Sequence, residues 1–192
     1  MSRETGRVAQ FSVEDNNQLL CVQSIGQTAP SFSVYTNVGR RSPLYCTSAG
    51  KAILSTYSNN EIIEKWEKFD VKPLTEHTIT DVHALLQDIS EVKQRHYALD
   101  REENEYNIFC VGALVMNYTN TPLGAISISG TTLTQEEEHA ISETLIAAVR
   151  SCPRLLDMSC GSTIPIIPKT LSYVFPSHQK YHRTGLQIYP PI

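Results

Sequence analysis

The run Ser48-Ala49-Gly50-Lys51 carries the glycine and lysine of a phosphate-binding loop, but Tyr45 stands where that loop needs its first glycine. Ala52 stands where Ser or Thr would hold magnesium, so a nucleotide-hydrolysing reading fails. What remains is a turn of small residues at a helix start. Free backbone N–H groups and the helix dipole favour an anion there, although the same residues also read as an ordinary helix beginning. Asp100-Arg101-Glu102-Glu103, with Glu105, has the composition of a general-acid cluster and equally that of a solvated loop between a helix and a strand. Cys110 lies in an apolar run with no histidine close in sequence, which reads as a small buried hydrophobe. His178 and His182 are four apart but have no cysteine pair, and His77, His83, His96 and His139 have no partnering motif. There is no Gly-x-Ser-x-Gly elbow. No metal, no cofactor and no catalysis are expected.

The elements that must position these residues follow from periodicity. Val8 to Val13 and Leu19 to Ile25 are short apolar or β-branched runs around the turn-forming Glu14-Asp15-Asn16-Asn17, which predicts a hairpin. Ser31 to Tyr35 alternates with period two, a third strand ending near Gly39. From Ser48 the residues favour helix, and Ile62, Ile63, Trp66 and Phe69 repeat within a second short one. Val82, Leu85, Leu86, Ile89 and Val92 form a helical stripe. Ile108 to Val115 and Leu123 to Ser129 flank a turn-rich segment, a second hairpin in which Ile126 and Ile128 face one side and Ser127 and Ser129 the other. Thr134 with Glu137 is a capping-box pattern opening a long helix whose apolar face runs through Ile141, Leu145, Ala148, Val149 and Cys152 to Leu156. These elements describe an α+β domain, an antiparallel sheet flanked by helices. Residues 159–192, rich in Pro, Ser and Tyr, show no sustained period and are read as a tail.

Composition narrows the function classes. The 192 residues carry a net charge of −4, with Lys and Arg scattered, which gives no footprint for a polyanion. No apolar run is long enough to span a membrane, and the polar Met1 to Arg7 has no signal-peptide core, so a soluble cytoplasmic chain is expected. The five cysteines are odd in number and widely spaced, as free thiols are.

Two segments, Gly39 to Ala52 (GRRSPLYCTSAGKA) and Asp100 to Glu105 (DREENE), resemble the signatures of the IclR-type effector-binding domain. Arg3 to Gly6, Cys110 to Val115 and Ser127 to Gly130 resemble further pieces in the family's order. The resemblance covers residues 1–158. It implies a GAF-like fold that binds small organic acids and shifts a dimer or tetramer of a DNA-bound repressor or activator between states. The winged helix-turn-helix DNA-binding domain that would come first is not within this chain, so contact with DNA would run through that domain only. Carried over by position, the resemblance implies a pocket of Ser48 and Ala49 backbone, Asp100, Cys110, Ser127 and Ser129, with Val34, Ser42 and Leu44 near its apolar wall. Ser48 and Asn107 replace common glycines of the family, Leu114 a proline and Ser42 a frequent leucine. The two serines point to a hydroxylated organic or sugar acid as effector, and the wording of the two signatures resembles regulators of sugar-acid catabolism. Two other readings stay open: a hydrolase or isomerase using Asp100, and a GAF-like module that only dimerises.

Overall fold

A computed structural model describes residues 7–26 and 38–155. The chain order is β1 (Val8–Asp15), β2 (Gln18–Gly26), β3 (Arg41–Pro43), α1 (Ser48–Leu54), α2 (Asn59–Trp66), α3 (Val82–Arg95), β4 (Ala98–Arg101), β5 (Phe109–Met116), β6 (Pro122–Gly130) and α4 (Gln135–Leu155). The six strands form one antiparallel sheet in the order β3-β2-β1-β6-β5-β4. The fold is α+β and GAF-like, as expected. The β1–β2 hairpin turns at Asn16 and Asn17, both left-handed at φ 52° and 60°, a geometry asparagine tolerates and hairpin turns favour. The expected strand at Ser31 to Tyr35 lies outside the described residues, as do Val34 and the tail.

Alternation along the strands sorts side chains onto two faces. On one face Leu99, Val111, Ala113 and Ile128 pack against Ile141 and Leu145 of α4. The capping box that opens α4 is present: Thr134 N–H donates to Glu137 Oε2 at 2.9 Å and Glu137 N–H to Thr134 Oγ1 at 3.2 Å. On the other face α1 lies on the sheet, and Leu44, Ile53, Leu54, Ile62, Leu85, Ile89 and Val92 make the second core. Among the described residues no helix is long and apolar enough to cross a membrane.

α1 reaches the sheet only because β5 carries Gly112 beneath it. A Cβ there would stand 2.6 Å from the Ser48 carbonyl carbon and 2.8 Å from the Ala49 nitrogen. The first turn of α1 is therefore held directly against the strand backbone, with Thr47 as N-cap accepting from Gly50 N–H at 3.2 Å.

Candidate functional site

The site is a lattice of small polar side chains on the α1 face of the sheet. Asp100 of β4 pairs with Cys110 of β5, and Cys110 with Ser129 of β6. One step along, Gly112 pairs with Ser127 and Ser127 with Gln10 of β1. Directly paired residues share a face, so Asp100, Cys110, Ser127, Ser129 and Gln10 point together into the space beside the start of α1. Ser48 and Ala49 close it from above, and Ser42 on β3 reaches it from the curled edge. The cavity so formed has a volume of about 80 Å³, room for roughly six waters at 10–15 Å³ each.

Seven of the nine residues expected at the pocket, Ser42, Ser48, Ala49, Asp100, Cys110, Ser127 and Ser129, line this cavity. Leu44 does not: it is fully buried in the core under α1. Val34 falls outside the described residues.

Asp100 is a buried strand residue, 2% exposed, and not part of a solvated loop as the charged run had read. Its Oδ1 accepts from Glu103 N–H at 2.9 Å, which anchors the turn that follows. That turn carries left-handed residues at Glu102 (φ 61°) and Asn107 (φ 59°), so asparagine here fills the role a glycine would have. Burial, helped by the nearby Glu103 charge, pushes the Asp100 carboxyl up to about 7. Burial likewise pushes the Cys110 thiol up. It stays protonated and donates to Ser129 Oγ at 3.2 Å, leaving the Ser129 hydroxyl proton free to meet a ligand. Ser48 Oγ, on a residue 1% exposed, has no hydrogen-bond partner among the described residues.

Arg40 and Glu105 also line the cavity, facing each other at 4.0 Å, both about half exposed. Arg40 is the one cation among the described residues around it. Lys51 turns away, 1% exposed, into ion pairs with Glu103 Oε1 at 2.6 Å and Asp88 Oδ2 at 2.7 Å. Burial works against its charge, but the two carboxylates more than offset this and its ammonium titrates above the usual lysine range.

The family model "Bacterial transcriptional regulator IclR C-terminal" matches residues 1–158. The chain belongs to the IclR family. KdgR, an HTH-type transcriptional regulator of Escherichia coli (strain K12), is 28% identical over 161 residues, a match covering 84% of this chain and 60% of KdgR. The chain thus spans about three fifths of that relative's length. The crystal structure of Thermotoga maritima IclR superposes with a TM-score of 0.71 and 28% identity, over 78% of this chain and 61% of that one. The inducer binding domain of the PobR transcription factor from Acinetobacter, a double mutant in complex with 3-hydroxybenzoic acid, superposes with a TM-score of 0.69 and 26% identity over 79% of this chain and 90% of that one.

Several cavity residues of this IclR domain escaped the sequence reading. Gln10 and Ser12 alternate with Ala9 and Phe11 on β1, a polar period-two pattern that marks a wet strand face. Arg40 had no such signal, because its neighbours in sequence are Gly39 and Arg41 and its place at the mouth depends on β3 pairing with β2.

Proposed function

We propose that this chain is the ligand-sensing domain of a bacterial transcriptional regulator, and that the cavity beside α1 takes a small hydroxylated organic acid, sugar acids included. The observation that carries this reading is the Ser48 hydroxyl, buried, unpartnered and lining a polar cavity. A buried polar group without a partner costs about 1–3 kcal/mol, and a ligand that bonds to it recovers that cost.

The charge layout supports the class. The helix geometry leaves the Ser48 and Ala49 N–H groups without acceptors inside α1, and Arg40 supplies a cation at the mouth. Both favour a carboxylate. Asp100, Ser127 and Ser129 are fitted to exchange hydrogen bonds with hydroxyls on the same molecule. The small volume limits that molecule to a few non-hydrogen atoms unless Arg40 and Glu105 part. The hydroxylated aromatic acid held by the PobR domain is of the same chemical class.

In this reading the domain binds and does not turn over its ligand, acts in the cytoplasm, and passes the signal through a dimer or tetramer to DNA-binding domains elsewhere in the regulator. Closed symmetric assemblies are the usual way to pair such domains; a strictly monomeric mass in light scattering at high concentration would contradict this part.

The test is a thermal-shift screen of hydroxy, keto and sugar acids. A ligand at a hundred times its Kd stabilises the native state by about 2.7 kcal/mol. At pH 8, where the Asp100 carboxyl is mostly ionised, Asp100→Asn should weaken the best hydroxylated acid roughly ten- to a hundredfold, the worth of a charge-assisted hydrogen bond. If only molecules without hydroxyl and carboxyl groups stabilise the chain, or if the best ligand is consumed, the reading fails.

A further inference from the structure

At the opposite end of α1 there is a second and larger space, with mostly apolar walls where the first is polar. β4 pairs with β5 only from Phe109 to Gly112. Among the described strands nothing pairs with Ala113 to Met116 on the side away from β6. The helices on the two faces of the sheet extend past this free edge and enclose a cleft of about 410 Å³. Its interior is apolar: Val92 from α3, Leu114 and Met116 from β5, Ile146 and Val149 from α4. Its rim carries Lys93, His96 and Arg150, all exposed.

Among the described residues no acidic one lines this cleft, although the chain has 20 acidic against 16 basic residues. Lys93 Nζ donates to the Tyr57 carbonyl at 2.9 Å, which leaves two of its three N–H bonds for another acceptor. Neither Lys93 nor Arg150 forms a salt bridge among the described residues, whereas Arg95 near the end of α3 is held by Asp88 and Glu91. The volume falls in the range of small-molecule sites, and apolar walls with a few charged groups at one side are their usual composition.

We propose that this cleft is a second ligand site, taking an amphipathic organic anion: an aromatic or branched apolar body carrying one carboxylate or sulfonate. The body lies against Leu114, Met116 and Val149. The anionic head meets Lys93 and Arg150. Because the cleft shares none of the first cavity's lining, this inference stands apart from the effector reading above.

The probe is 8-anilinonaphthalene-1-sulfonate, an aromatic sulfonate whose fluorescence rises in apolar surroundings, titrated against the full chain. Saturable binding at one site per chain is expected. The exposed double substitution Lys93→Gln with Arg150→Gln should weaken it by about tenfold or more, and Val149→Asp should abolish it with the far-ultraviolet spectrum unchanged. Ser129→Ala, in the first cavity, should leave it as it is. Equal affinity in the Lys93/Arg150 variant, binding that does not saturate, or dye affinity that falls as the chain concentration is raised and its copies associate, as it would if a second copy filled the cleft, would each overturn the proposal.

Discussion

Burial and the Glu103 charge oppose the ionisation of Asp100 more strongly than the backbone N–H bonds and the Lys51 charge favour it, and the consequence is measurable in the stability of the whole chain. Burial first, and the Glu103 charge second, raise its carboxyl from 3.8 to about 7. Between those values the folded chain keeps a proton that the unfolded chain has released. The folded state is therefore favoured at the acid end of this window, and stability falls as the pH rises through it. The effect is on the order of 2–4 kcal/mol. Asparagine has the same shape and keeps a carbonyl oxygen to accept from Glu103 N–H, but it does not titrate. Urea unfolding of Asp100→Asn at pH 5 and pH 8 should show a smaller loss between the two than the parent chain shows. An unchanged difference would mean that Asp100 ionises as an ordinary surface aspartate does.

At the scale of elements, the position of α1 is set from below by Gly112 and from the side by Lys51. Gly112→Ala would drive a Cβ into the backbone of Ser48 and Ala49, atoms that cannot turn aside as a side chain can. A loss of about 1–3 kcal/mol is expected, as in other overpacked contacts, together with loss of ligand stabilisation in the thermal-shift screen; a variant that binds normally would contradict the placement of the first turn. Lys51→Met would leave Glu103 buried without its cation, while Asp88 keeps Arg95 at 3.4 Å. Breaking a buried pair costs about 3–5 kcal/mol, so a midpoint shift in urea equivalent to less than about 1 kcal/mol would show the network to be dispensable. The sequence showed the ends of this arrangement and not its middle. The hairpin at Asn16-Asn17, the stripe of α3 and the capping box at Thr134 are local patterns, each complete within a dozen or so residues. β3 and β4, three and four residues long, are too short to display an alternation, and that is why Asp100 read as part of a loop. Lys51 and Glu103 are 52 positions apart, and no local spacing announces such a pair. The cavity residues on β5 and β6 were legible because serine alternates with isoleucine there and because the segments resemble those of a family.

Among the described residues most of the basic side chains are spoken for. Arg7 is bound to Glu137, Arg41 to Asp15, Lys51 to Glu103 and Asp88, Lys65 to Glu14, Lys72 to Asp70, Arg95 to Asp88 and Glu91, and Arg101 to Glu138. Affinity for duplex DNA depends on cations that displace counterions from phosphates, each contact adding about 0.9 to the slope of log affinity against log salt. A cation already facing a carboxylate does this poorly. Lys68, Lys93 and Arg150 are free of such partners among the described residues, but three contacts give a slope of only about 3, against roughly 10 for a tight sequence-specific repressor. The net charge of −4 adds a general repulsion. This chain by itself is therefore expected to leave a labelled promoter duplex unbound in fluorescence anisotropy at about 0.15 M salt. Sequence-specific retention under those conditions would place a DNA-reading surface on the effector-binding domain, and the division of labour proposed for the regulator would have to be abandoned.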